Sequence, residues 1–172
     1  MKSRSASLAK PRFVAFVLLS VAAALSPLPF AAVNSTREAA QGDVRVILLR
    51  VGHTVTQGGQ PAFEVTYAIE VPEKGAFSDI HISSNDELTL TAKGKPIPTP
   101  GAISSAAMGL KDLPRQKELV LPAVPIGRAT LGQQVELENL RIQDKAIDLT
   151  IRFSWRGQKL TFPFKDVPVP KA

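Results

Sequence analysis

The sequence predicts an all-β protein, an antiparallel β-sandwich of about seven to nine strands. Three observations carry that reading. Apolar residues recur at every second position in several runs beyond residue 42, the period of a strand with one buried and one wet face. Turn formers punctuate the chain densely, with all 11 glycines and 11 of the 14 prolines after residue 32. No long 3.6-residue pattern separates the alternating runs, which argues against parallel βαβ units.

The chain opens with a different grammar. Lys2, Arg4, Lys10 and Arg12 form a basic leader without an acid. An apolar run, Phe13 to Leu25, follows, then Pro27, Pro29 and the small residues Ala31 and Ala32. Positive, apolar and small-residue regions in that order read as a secretory signal peptide over residues 1–32. The apolar run is too short to cross a hydrocarbon core of about 30 Å. The alternative is an uncleaved N-terminal anchor, with the apolar stretch extended to Val33. Residues 33–42 read as a flexible linker, 43–167 as the sandwich domain and 168–172 as a C-terminal tail.

The strands follow in order. Asp43 to Val51 is rich in Val, Ile and Leu and reads as a strand buried on both faces near its middle. Phe63, Val65, Tyr67, Ile69 and Val71 alternate with Glu64, Thr66, Ala68 and Glu70, bracketed by Pro61 and Pro72; the second set is expected to face water. Short strands are expected over Asp79 to Ser83 and Glu87 to Ala92, the latter closing on a turn at Gly94. Lys95 to Gly101 is proline-rich and reads as an extended crossover. Ala102 to Leu113 reads as either a short helix or a long loop. Glu118 to Leu121 and Gln134 to Ile142 complete the middle of the chain. Ile147, Leu149, Ile151, Phe153 and Trp155 then alternate with polar residues, turn at Arg156-Gly157-Gln158, and resume at Leu160, Phe162 and Phe164. Those two runs form a β-hairpin, and Pro163 places its strand at a sheet margin.

Composition narrows the function. The chain has 172 residues, 44% apolar and 21% charged, without cysteine, which fits one domain. Cysteine-ligated metals, disulfide stapling and cysteine nucleophiles are excluded. With the four leader cations set aside, the net charge of +6 falls to +2, an ordinary surface. No basic segment carries interleaved aromatics, so nucleic-acid binding is not expected.

Motifs for chemistry are sparse. The two histidines are His53 and His81. Asp79, His81 and Ser83 would share one strand face, an incomplete start to a metal site or a general-base pair. The polar turn Ser83 to Glu87 offers oxygens to calcium without the spacing of a calcium loop. Glu136 and Glu138 read as a solvated face, as do Glu64, Thr66 and Glu70. Trp155 and Tyr67 fall on the apolar register, so each is expected in the core rather than as a flat platform for a sugar. Asn34-Ser35-Thr36 is a glycosylation triplet. No catalytic, cofactor-binding or metal-binding residue is assigned, and no cofactor is expected.

With two stacked layers of short strands and a tryptophan near the C-terminal hairpin, the plan resembles an immunoglobulin-like sandwich, although the Cys–Trp–Cys signature is missing. The reading of function that results is an exported, non-catalytic β-sandwich, periplasmic or extracellular, acting as a protein-interaction or structural module. Its expected partner is a protein or a component of the cell envelope, with no nucleic acid and a membrane only through an uncleaved N-terminal segment. Contact loops are expected at Thr54 to Gln60, Ser83 to Asp86 and Lys93 to Gly101. The alternatives are a carbohydrate- or small-ligand-binding module and, less favoured, a metal-dependent or hydrolytic enzyme using Asp79 and His81.

Overall fold

The computed structural model describes residues 37–72, 74–83, 87–99, 103–113, 119 and 121–171. The leader, residues 1–32, and the glycosylation triplet lie outside them. Among these residues, ten strands form two antiparallel sheets. The first sheet has the order β1-β2-β3-β8-β7, built from β1 (Glu38–Gln41), β2 (Val44–Val55), β3 (Pro61–Val71), β8 (Ala129–Glu138) and β7 (Ile103–Gly109). The second has the order β10-β9-β5-β6, from β10 (Gln158–Pro168), β9 (Ala146–Trp155), β5 (Leu88–Ala92) and β6 (Lys95–Pro96), and the two-residue β4 (Ile80–His81) also pairs with β9.

The C-terminal hairpin follows the alternation. Ile147, Leu149, Ile151 and Phe153 of β9 and Leu160, Phe162 and Phe164 of β10 are buried, and the Phe153 and Phe162 rings stack at 5.2 Å. Arg156 and Gly157 both have positive φ, the backbone of a two-residue turn that matches strand twist. Pro163 lies on β10, at the margin of its sheet. These side chains meet Val46, Leu48, Phe63, Val65, Tyr67 and Ile69 of the first sheet in one shared core.

Several expectations change. Residues 38–41 are not linker: they form β1, in register with β2 from Glu38 opposite Ile47 to Gln41 opposite Val44. The tail is part of the body, because β10 reaches Pro168, the Val169 N–H donates to the Lys145 carbonyl at 2.8 Å and Val169 is buried. The strand expected over Asp79 to Ser83 shrinks to β4, preceded by a 3-10 turn, Lys74–Asp79. The strand expected from Gln134 runs instead from Ala129 to Glu138, and Leu140 and Ile142 follow it as buried residues outside any strand. Leu119 and Leu121 lie outside strands, while Glu118 and Val120 lie outside the described residues.

The Ala102 to Leu113 segment is neither helix nor long loop. Its described part is the strand β7, paired with β8 from Ile103 opposite Leu137 to Gly109 opposite Leu131, followed by a 3-10 turn, Leu110–Asp112. Ser104, Ser105 and Gly109 weaken the helical propensity that Ala106, Ala107 and Met108 would give it, and the ladder with β8 decides its backbone.

The outer face of the first sheet is the largest correction. Glu64, Thr66, Ala68 and Glu70 are buried, at 3%, 1%, 0% and 0% exposure. A second apolar cluster covers this face, in which Ile47, Leu49 and Ala68 pack under Leu113 and Leu119, with Met108, Leu110 and Leu121 beside them. The charges there are paired. Arg45 donates to both oxygens of Glu70 at 2.9 and 3.0 Å, Arg50 lies 3.5 Å from Glu64, and the Thr66 hydroxyl donates to Glu64 at 2.7 Å.

Candidate functional site

The expected candidates come together only in part. Asp79 closes the 3-10 turn and accepts from Arg156 Nε at 3.3 Å. His81 and Ser83 are exposed beside a shallow depression of about 170 Å³ shared with Arg152, Ser154 and Lys159. His53 Nε2 donates to the Ile142 carbonyl at 3.0 Å, and its ring meets Phe63 edge-on at 5.5 Å. Among the described residues no three His, Asp or Glu side chains gather as metal ligands. Trp155 is half-buried rather than interior, with the Arg156 guanidinium 4.8 Å above its ring and its indole N–H shielded without a partner. The middle of the Ser83 to Glu87 turn lies outside the described residues.

The polar groups that do converge are elsewhere. The first sheet extends one strand, β7, past the cover that the second sheet provides. The inner register of β7 carries Ser105 and Ala107, both small and exposed, opposite Val135 and Gln133 of β8. A cleft of about 490 Å³ results, with Phe77, Ile80, Ile82, Ala107 and Leu131 as apolar walls and Glu87, Ser105 and Gln133 as its polar lining.

Glu87 stands immediately before β5 and is fully buried. One carboxylate oxygen accepts the Tyr67 hydroxyl at 2.5 Å and the other accepts the Ser105 hydroxyl at 2.8 Å. Gln133, 2% exposed, donates from Nε2 to the Ser105 oxygen, and its own Oε1 has no partner. No cationic side chain among the described residues pairs with Glu87. The arrangement is a buried carboxyl group whose hydrogen-bond partners among the described residues are two hydroxyls, next to the unused Gln133 Oε1. Burial, then the Glu87 charge, then the hydrogen bond to Glu87 raise the Tyr67 pKa well above its ordinary 10.0, so Tyr67 keeps its proton and remains a donor.

Sequence reasoning missed Ser105 and Gln133. Gln133 had a signal, because it lies two residues before Val135 and four before Leu137 on the apolar register of β8. A polar residue in such a phase marks a bonded or functional side chain. Glu87 had none, since strand alternation from Leu88 and Leu90 assigns it to the wet face.

A wider groove of about 830 Å³ at one end of the molecule is bordered by Arg37, Arg50, His53, Arg141 and Lys171, of which Arg50 is engaged with Glu64. No helix among the described residues is long and apolar enough to cross a membrane. No protein-family model, curated protein or solved structure matches the chain.

Proposed function

We propose that the protein is an exported, non-catalytic β-sandwich of immunoglobulin-like plan that binds an extended segment of a partner protein along β7. The observation that carries this reading is the undefended edge of β7. Proteins blunt sheet edges with short strands, lysines, prolines and bulges. β1 has four residues and β6 two. β10 carries Lys159, Pro163 and Lys165 and a register shift between Phe164 and Val167. β7 has seven residues, Ile-Ser-Ser-Ala-Ala-Met-Gly, without a charge or a proline. Among the described residues it pairs only with β8 and Ser105, Ala106 and Ala107 are exposed, so no described strand takes the alternate backbone N–H and C=O groups on its other side.

The non-catalytic reading is supported by Asp79 and His53 being engaged with Arg156 and the Ile142 carbonyl, apart from the exposed His81, and export is supported by the basic and apolar leader. The test is amide exchange on the full exported chain with peptides selected from a random library. Bound peptides should protect β7 amides, and Ala106→Pro or Ala106→Lys should abolish both protection and binding while the circular dichroism of the fold is retained. Protection that rises with protein concentration alone would replace the hetero-partner with a second copy of this chain. Peptides that leave β7 unprotected would overturn the reading.

A further inference from the structure

We propose that the cleft beside β7 is a pocket for a basic side chain, a primary ammonium or a guanidinium on an apolar stem, presented by the strand that adds to β7. The proposal rests on the reading of β7 as an acceptor edge and names what that edge selects. An added strand projects alternate side chains onto the inner face, the face that carries Ser105 and Ala107. One of those side chains would enter the cleft.

The chemistry of the cleft chooses the side chain. Its walls, Phe77, Ile80, Ile82 and Leu131, suit the methylene stem of a long basic residue. Its polar end offers acceptors in excess. Glu87 has no cationic side chain beside it among the described residues, Gln133 Oε1 is unpartnered, and the Ser105 oxygen, donating its hydrogen bond to Glu87, keeps a lone pair beyond the one used by Gln133. An anion or an acceptor-only group would meet repulsion there. A donor with positive charge completes every one of these groups, and a buried acceptor left unmatched is costly. A second copy of this chain brings no base, since its β7 has none. The volume falls in the range of about 300–1,000 Å³ common to ligand pockets.

The test titrates the full chain with n-butylammonium, n-butylguanidinium and neutral n-pentanol by calorimetry, and with a β7-binding peptide carrying lysine or norleucine. The cations should bind saturably, about tenfold or more tighter than the alcohol. Glu87→Gln should remove that preference, and Ala107→Leu should block all three probes. Trp155 emission reports whether each variant is folded. Equal binding of cation and alcohol, or no saturable binding of either cation to folded protein, would overturn the pocket. Lysine and norleucine peptides that bind alike would overturn it too, while leaving the β7 reading in place. Cation binding with β7 unprotected by any peptide would instead remove the strand and leave a pocket for a free amine.

Discussion

Tyr67 and Glu87 meet inside the gap between the sheets, the phenolic hydroxyl donating to the carboxylate at 2.5 Å with neither side chain exposed. Tyr67 is on β3, in the middle of the first sheet, and Glu87 leads into β5 of the second. The bond ties the layers together at the rear of the cleft.

That position fixes the response to alkali. Tyr67 is the single tyrosine, and its folded pKa lies well above 10.0, chiefly through burial. In the unfolded chain it loses its proton near pH 10, while the folded chain still holds it. Above pH 10 the unfolded state therefore binds fewer protons, and stability falls by about 1.4 kcal/mol per pH unit until the folded pKa is reached. Below pH 10 this contribution is fully present. Tyrosinate absorbance should appear only together with the loss of native circular dichroism. A tyrosinate midpoint near pH 10 in still-folded protein would contradict the burial.

Arg45 and Glu70 make a two-pronged pair across β2 and β3, with Glu70 wholly buried and the Arg45 side chain 19% exposed. Arg45→Met removes the bidentate cation of a buried carboxylate, leaving it the weaker influence of Arg128, and should cost about 3 kcal/mol in urea unfolding. Adding Glu70→Gln to that variant should recover most of the loss, since both charges are then gone. A loss below about 1 kcal/mol for Arg45→Met would mean that the pair contributes as an exposed one does.

Gly132 on β8 sits directly under Leu113. A Cβ at residue 132 would lie 2.9 Å from Leu113 Cδ2 and 3.0 Å from Cδ1 and Cγ. Leu113 is 4% exposed and held among Ile47, Leu49, Ala68 and Leu119, so it has little room to yield. Gly132→Ala should cost about 1–3 kcal/mol. In a Leu113→Ala background the same change should cost almost nothing, and equal costs in the two backgrounds would show that the contact is not the cause.

Much of the architecture was legible because one physical rule, alternation, governs it. The β9–β10 hairpin, the core register of Tyr67 and the marginal place of Pro163 follow from period two and from proline's missing donor. The outer face of β3 was not legible. Glu64, Thr66 and Glu70 alternate as solvated residues do, and only tertiary neighbours, Arg45 and Arg50 at the carboxylates and the cluster of Leu113 and Leu119 around Ala68, go with their burial. β7 failed for a related reason: small residues carry little periodic signal, and its state is set by β8. The cleft was illegible because it needs Glu87, Ser105 and Gln133 from three strands or their margins, and only Gln133 breaks its local pattern.

The cluster that seals the outer face of the first sheet also bears on mechanics. Met108 at the end of β7 and Leu110 just past it are wedged beside Leu113, Leu119, Ile47 and Leu49. A pull on anything attached along β7 would be shared between the ladder to β8 and this greasy clamp behind it. An attachment made along β7, as proposed, would thereby be fastened to the middle of the domain, and tension on it would reach the central strands before it could peel the rim away.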